Sequence, residues 1–193
     1  MKFGQHAERP GLSDAFERLH NERLHRDEGV SFRVGVAATD WQFTQAHALV
    51  SRQYRRAGYL EPQAPSSSSA SPLVALALRN TLGGGGESQA LGTVALRCDG
   101  PSGLLADEQY RSTLDVMRAQ GSRLAECGRL AVDAAAPFIT VLGQLVRTVA
   151  HIAREERNVT DVVALCHPRH AHFYCRTLGF ARLGELSFCQ YVG

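Results

Sequence analysis

Apolar positions along the chain change period several times, and each change marks an element. Residues 31–38, SFRVGVAA, alternate Phe32, Val34 and Val36 with small or polar residues and predict a strand. The period then lengthens. Phe43, Ala46, Val50, Tyr54 and Ala57 recur at helical spacing behind a Thr39-x-x-Gln42 capping box, and Gly58 is a natural stop. Upstream, residues 13–27 predict another helix, with Ser13 as cap, Phe16, Leu19 and Leu24 on one side and Gly29 at its end. Residues 72–80, PLVALALRN, and 90–98, ALGTVALRC, are apolar β-runs joined by TLGGGGESQ. No Lys and Ser/Thr follow these glycines in phosphate-loop register and both flanks are strands, so a hairpin loop is expected. The proline-bounded EPQAPSSSSASP, residues 61–72, reads as a mobile surface loop.

The second half repeats these periods. Residues 107–120 predict a helix with Asp107 as N-cap, Tyr110, Leu114 and Met117 inward, and Gly121 at its end. RLAECGRLAVD, residues 123–133, contains a strand in which two charged residues are embedded. Phe138, Val141, Leu142, Leu145, Val149 and Ile152 form one stripe of a long helix over 137–157. A buried strand over 161–167, a short helix over 169–178 ending at Gly179, and two strands, FARLGE (180–185) and FCQYV (188–192), complete the chain. This order predicts an α+β fold, a mixed sheet with helices on its faces. One domain over 1–193 is expected, with 1–29 as a helical N-terminal extension.

Charge and cysteine content exclude some classes. A net charge of +2 over 193 residues is far from the basic balance of a nucleic-acid binder, so no nucleic-acid partner is expected. Five cysteines, odd in number and without a CxxC pair, sit in apolar runs as small hydrophobes, which fits a reducing compartment. The N-terminus lacks a signal-peptide core, and no apolar run approaches the roughly 20 residues of a membrane span. A cytoplasmic protein without a transmembrane segment is expected.

Candidate chemistry concentrates in two segments. In HPRHAHFYCRTLGF, residues 167–180, Tyr174 stands on a short helix beside the end of a buried strand. A phenol there can donate a proton to a departing thiolate at a cleft mouth, or it can pack as amphipathic core. The run HFYCRTLGFARLGE resembles the Phe-Tyr-x-x-x-Leu-Gly-Phe signature of the GNAT superfamily of N-acyltransferases, and the order of elements agrees over 31–193. The resemblance implies the GNAT fold and gives Tyr174 the part of the general acid that protonates the leaving thiolate.

In the second segment Glu126 and Arg129 are three residues apart. In a regular strand that odd spacing puts them on opposite faces, whereas a bulge or splay at Gly128 would bring them together. Glu126 can then accept the proton of an attacking amine, directly or through water, or the two form a structural ion pair. Together with LGTVALRCDGPSGLLADEQY upstream, the segment is similar to the long-chain N-acyl amino acid synthases (FeeM-like enzymes) and their acyl-homoserine-lactone synthase relatives. Their Glu-x-Ser-Arg-type motif is matched by Glu126-Cys127-Gly128-Arg129, with Gly in place of Ser. This resemblance implies a long-chain acyl donor held as acyl-phosphopantetheine on an acyl carrier protein, with an amino acid or similar small amine as acceptor. Coenzyme-A-dependent GNAT enzymes carry an Arg/Gln-x-x-Gly-x-Gly/Ala loop that binds pyrophosphate on helix amides. AAAPFITVLGQ in its place has only Gly143, so acyl-coenzyme A is the alternative donor. Arg147, Arg154 and Arg157 form either a docking stripe for an acidic carrier protein or a solvated face.

On this reading Glu126 assists deprotonation of the amine and Arg129 fixes Glu126 or the acceptor carboxylate. Backbone amides of 127–132, including Leu130, Ala131 and Val132, polarise the thioester carbonyl. Asp107 lies where relatives contact the acceptor, and Tyr54 and Tyr59 cover the acceptor or belong to the core. His167, His170 and His172 are spaced H-x-x-H-x-H, a pattern open to metal. Relatives usually have Asn where His167 stands, so His167 is read as lining the cleft or bonding the turn, and no resident metal is expected. Three other functions share the fold: an acyl-homoserine-lactone synthase, a coenzyme-A-dependent acetyltransferase, and a catalytically silent lipid-binding domain.

Overall fold

The computed structural model describes residues 30–59, 72–80 and 88–187. The helix expected over 13–27, the 61–72 loop apart from Pro72, most of the glycine-rich loop and the strand expected over 188–192 lie outside these residues. Five strands form one sheet in sequence order: β1 (Phe32–Val36), β2 (Leu73–Arg79), β3 (Ala90–Cys98), β4 (Leu124–Val132) and β5 (Asp161–Val163). The first three pairings are antiparallel and β4–β5 is parallel, which makes the mixed sheet expected.

Helix α1 (Asp40–Ala57) connects β1 to β2 and begins on the capping box. The Gln42 amide donates to Thr39 Oγ1 at 3.3 Å and the Thr39 amide to Gln42 Oε1 at 3.1 Å, so both orphan donors are satisfied. Gly58, at φ +78°, turns the chain out of the helix. Alternation along the strands then sorts side chains between two faces. Val74, Leu76, Leu78, Ala95 and Ala131 pack with Leu49 and Val50 of α1. Ala75, Ala77, Val94, Leu96 and Ala125 pack with Val141, Leu145 and Val149 of α3 (Phe138–His151) on the other face. Gly92 permits that second packing, because a Cβ there would lie 2.5 Å from Val141 Cγ1.

Helix α2 (Asp107–Ala119) covers Leu124 and Val163 through Leu114, with Tyr110 and Met117 inward as expected. Asp107 is not its N-cap. That position is Ala106, and the Asp107 carboxylate instead accepts from the Leu104 amide at 2.7 Å and from both terminal nitrogens of Arg118. The reason is spacing along the helix: residues 107 and 118 lie three turns apart on the same side.

Three further expectations change. β5 is only Asp161–Val163, because its ladder with β4 stops at Glu126↔Val163. α3 ends at His151 and continues as a π-helical turn, Ile152–Glu156, before Asn158 at φ +53° reverses the chain. Residues 180–185 form no strand. Phe180 drops into a cluster with Leu142 and Leu178, and the Tyr110 hydroxyl donates to the Glu185 carbonyl at 2.7 Å, so this segment is fixed to α2 by side chains. Helix α4 (Pro168–Thr177) precedes it and is stopped by Gly179 at φ +70°.

Candidate active site

The site begins where β4 loses its neighbour. Residues 127–132 of β4 run on past the last β5 pair, and there β4 also carries a bulge. Between the pairs Ala95↔Gly128 and Thr93↔Ala131, β3 advances two residues and β4 three. Arg129 is the misfit residue, at φ +53° in the left-handed region. The extra residue inverts the alternation. Cys127 and Leu130 pack toward α3, while Ala131 and Arg129 face α1, with Arg129 beside Phe43, Ala46 and Val50. Glu126 faces the same way, because its register partner Arg97 follows Ala95 by two. The bulge foreseen at Gly128 falls one residue later and does put Glu126 and Arg129 on one face.

Their partners differ. Glu126 is 6 % exposed, and its Oε2 accepts from the Leu105 amide at 2.6 Å and the Ala106 amide at 3.2 Å, ahead of α2. Burial raises its pKa above the ordinary carboxylate value, opposed by the two amides and by the nearby Arg97 guanidinium. Arg129 has its pKa lowered by burial, with Tyr54 opposing and Arg97 adding to the lowering. The Arg129 amide is bonded to the Tyr54 phenol, whose pKa burial raises. Thus Tyr54 fastens the bulge to α1. Of this group only Arg97 escaped the sequence reading; its signal was its place two residues after Ala95 at the strand end.

Helix α4 spans the edge that β5 leaves open. Leu130, Leu142, Phe173, Tyr174 and Phe180 form one cluster, which joins α4 to β4 and α3. Arg169 ties the same helix to the other face: its Nη2 donates to the Ala57 carbonyl at 3.0 Å and its Nε to the Tyr59 hydroxyl at 3.0 Å. His167 caps α4, its Nδ1 accepting from the Arg169 amide at 3.2 Å, and stacks at 5.9 Å on Tyr59, so it bonds the turn. Among the described residues no group of three His, Cys, Asp or Glu is arranged to hold a metal ion.

Tyr174 therefore sits over the gap between β4 and the chain after β5. Burial is the main cause that raises its phenol pKa, with Cys127, Cys166, Tyr54 and Tyr59 adding to it. The phenol stays protonated at neutral pH, as a proton donor must. Cys127 is pushed up to about 12 by burial, so it is a packed thiol and no nucleophile. Leu130, Ala131 and Val132 lie on the stretch of β4 that pairs with β3 but has no β5 partner, where outward backbone amides can meet an extended donor. Asp107 faces elsewhere. Its carboxylate, with its pKa lowered chiefly by the Arg118 hydrogen bonds, lines a hollow of about 580 Å³ that includes none of Tyr54, Glu126, Arg129 or Tyr174.

Comparison with known proteins identifies the family. The family described as N-acyl amino acid synthase FeeM matches residues 45–193, three quarters of the chain. The chain belongs to the FeeM family. Among solved structures it is similar to FeeM, an N-acyl amino acid synthase from uncultured soil microbes, at 22 % identity and a TM-score of 0.72, covering 85 % of this chain and 86 % of that one. It also superimposes on a Trypanosoma brucei acetyltransferase (13 % identity, TM-score 0.53, 82 % of this chain and 99 % of that one). A Vibrio cholerae integron cassette protein matches at 16 % identity and TM-score 0.55, over 86 % of this chain and 94 % of that one. No curated protein sequence matches. As a FeeM-family member the chain is an N-acyltransferase with the GNAT fold. No helix among its described residues is long and apolar enough to cross a membrane.

Proposed function

We propose that this FeeM-family chain transfers a long-chain acyl group from the phosphopantetheine thioester of an acyl carrier protein to the amine of an amino acid or similar small acceptor. The observation that carries the reading is the bulge at Arg129, which sets Glu126 and Arg129 on one face of β4 where the strand runs on past its last β5 pair. The acyl-phosphopantetheine lies along 127–132, where the outward amides of Leu130 and Val132 polarise the thioester carbonyl, while that of Ala131, like that of Asp133, faces β3. Glu126 accepts the proton of the attacking amine, directly or through water. Arg129 or its neighbour Arg97 holds the acceptor carboxylate. When the tetrahedral intermediate collapses, the new amide keeps the acyl group and Tyr174 gives its proton to the thiolate.

A carrier protein is favoured over coenzyme A by the start of α3. The Ala135 amide donates to Asp133 Oδ1 at 3.0 Å and the Ala136 amide to the Asp133 carbonyl at 3.0 Å. The two amides of this turn are thus taken up by Asp133, whose carboxylate is paired with Arg52 at 2.7 Å, and neither is free for a pyrophosphate. Phe138, 47 % exposed, and Phe173 bring α3 and α4 together with ring centroids 6.2 Å apart, an apolar surface suited to a long acyl chain.

The test is acyl transfer measured by mass spectrometry with matched acyl-carrier-protein and acyl-coenzyme A donors and a mixture of amino acids. The expected result is an N-acyl amino acid, formed with kcat/KM at least about tenfold higher from the carrier protein, a difference of about 1.4 kcal/mol. Preference for coenzyme A would make the chain an ordinary acetyltransferase-like enzyme. A lactone product would make it a homoserine-lactone synthase.

A further inference from the structure

Helix α4, which carries Tyr174, has no buried residue, so its attachment to the rest of the molecule rests on partly exposed side chains. One group of them lies in its second half. Phe173 meets Phe138 at 6.2 Å between ring centroids, Tyr174 meets Phe180 at 5.5 Å, and both rings pack with Leu130 and Leu142. Apolar contact has no direction, so this cluster sets the distance of α4 from α3 better than it sets the roll of the helix about its own axis. The other attachment is in the first turn and belongs to Arg169. Its Nη2 donates to the Ala57 carbonyl at the end of α1 at 3.0 Å, and its Nε to the Tyr59 hydroxyl at 3.0 Å. The same Nε is 3.3 Å from His170 Nε2, and the guanidinium carbon stands 4.7 Å from the centre of the Tyr59 ring. A planar fork engaged through two nitrogens fixes an orientation, which a single point charge does not.

The anchor on the α1 side is itself held. Gly58 ends α1 in the left-handed region, and the Tyr59 amide then donates back to the Tyr54 carbonyl at 2.9 Å. The Tyr54 and Tyr59 rings meet edge to face at 5.6 Å. Tyr54 in turn accepts from the Arg129 amide at the bulge of β4. The bulge and the first turn of α4 therefore share one support, the end of α1. Arg169 and Tyr174 are five positions apart on one hydrogen-bonded helix, so whatever turns the first turns the second. The Tyr174 hydroxyl stands at the tip of a long side chain and moves further than the backbone when the helix rolls.

We propose that Arg169 is a positioning residue for acyl transfer, holding α4 in the roll that brings the Tyr174 hydroxyl to the departing thiolate. The proposal rests on Tyr174 as general acid and adds what keeps that acid in place. The experiment is a double-mutant cycle of Arg169→Gln and Tyr174→Phe on the full chain, with kcat and KM measured for both substrates and circular dichroism to confirm folding. Arg169→Gln lowers kcat by about tenfold with both KM values within about twofold of the parent, since a misplacement of about 1 Å suffices for such a loss. In the Tyr174→Phe background the same change has no further effect, because no proton donor is left to misplace. Arg169→Lys keeps the charge, loses the fork and behaves as Arg169→Gln. Hydrogen exchange gives a readout that needs no turnover. Amides of α4 exchange several-fold faster in Arg169→Gln, while those of α3 are unchanged. Losses that multiply in the double variant, an unchanged kcat in Arg169→Gln, or equal exchange of α4 in parent and variant would each overturn the proposal. An unchanged kcat in Tyr174→Phe alone would remove the general acid, and the positioning role with it.

Discussion

Glu126 shows how one carboxylate is prepared by its surroundings. Burial favours its neutral form, while the Leu105 and Ala106 amides and Arg97 favour the anion, and burial prevails. If Glu126 is the base, kcat/KM rises with pH through a value above the ordinary carboxylate pKa. Glu126→Gln should abolish this acid limb and lower kcat/KM by about 10²-fold or more. Arg97→Gln should move the limb to higher pH, since it removes a charge that lowers the Glu126 pKa. Stability follows the same sign. A raised folded pKa gives a contribution that is present below the unfolded value and lost as pH rises through the folded one. Relative to the parent, Glu126→Gln therefore gains stability with increasing pH, as chemical denaturation at pH 5 and pH 8 would show. Tyr174→Phe keeps the ring in its cluster and removes only the proton. Its expected signature is a kcat loss of about 10²-fold with KM nearly unchanged.

At the scale of elements, local signals were legible wherever neighbours in sequence decide the outcome. The Thr39–Gln42 capping box, the Gly58 stop and the stripe of α3 all depend on contacts within a few residues. Asp107 was misread because its partner is eleven residues on, although the spacing to Arg118 was open to reading as one helix face. β5 was expected to be longer, since VALC is apolar throughout. Its length is set by where β4 departs, which no residue of β5 reveals. The approach of α3 to the sheet depends on Gly92. Gly92→Ala would place a Cβ 2.5 Å from Val141 Cγ1 and 2.9 Å from Leu145 Cδ1, both fully buried side chains. A loss of about 1–3 kcal/mol is expected in urea denaturation, typical of overpacking. An unchanged midpoint would mean that α3 shifts freely over β3.

Across the whole molecule, two groups of charges sit at different places along β4 and serve different ends. Asp107, 5 % exposed, and Arg118 join α2 to the loop after β3, and their removal affects folding before chemistry. The Asp107 pKa is lowered chiefly by Arg118, so its contribution is present above the ordinary aspartate value and lost as pH falls through the lowered one. Asp107→Asn should cost about 1–3 kcal/mol at neutral pH, because it weakens the charge-assisted bonds from Arg118, which keeps Asp99 and Asp115 as partners. The difference from the parent should shrink at acid pH. A constant difference across pH would show that the carboxylate charge is not what matters there.

The sequence by itself determined the periods, the caps of α1, the α+β class and the two segments that carry the chemistry, because each rests on residues close together in the chain. Two things were decided only by tertiary structure. One is the face on which Arg129 stands, since the bulge is a mismatch between β3 and β4 and exists only when both strands are paired. The other is the open edge beneath Tyr174, made where β4 and β5 part and α4 closes over the gap from helices on both faces.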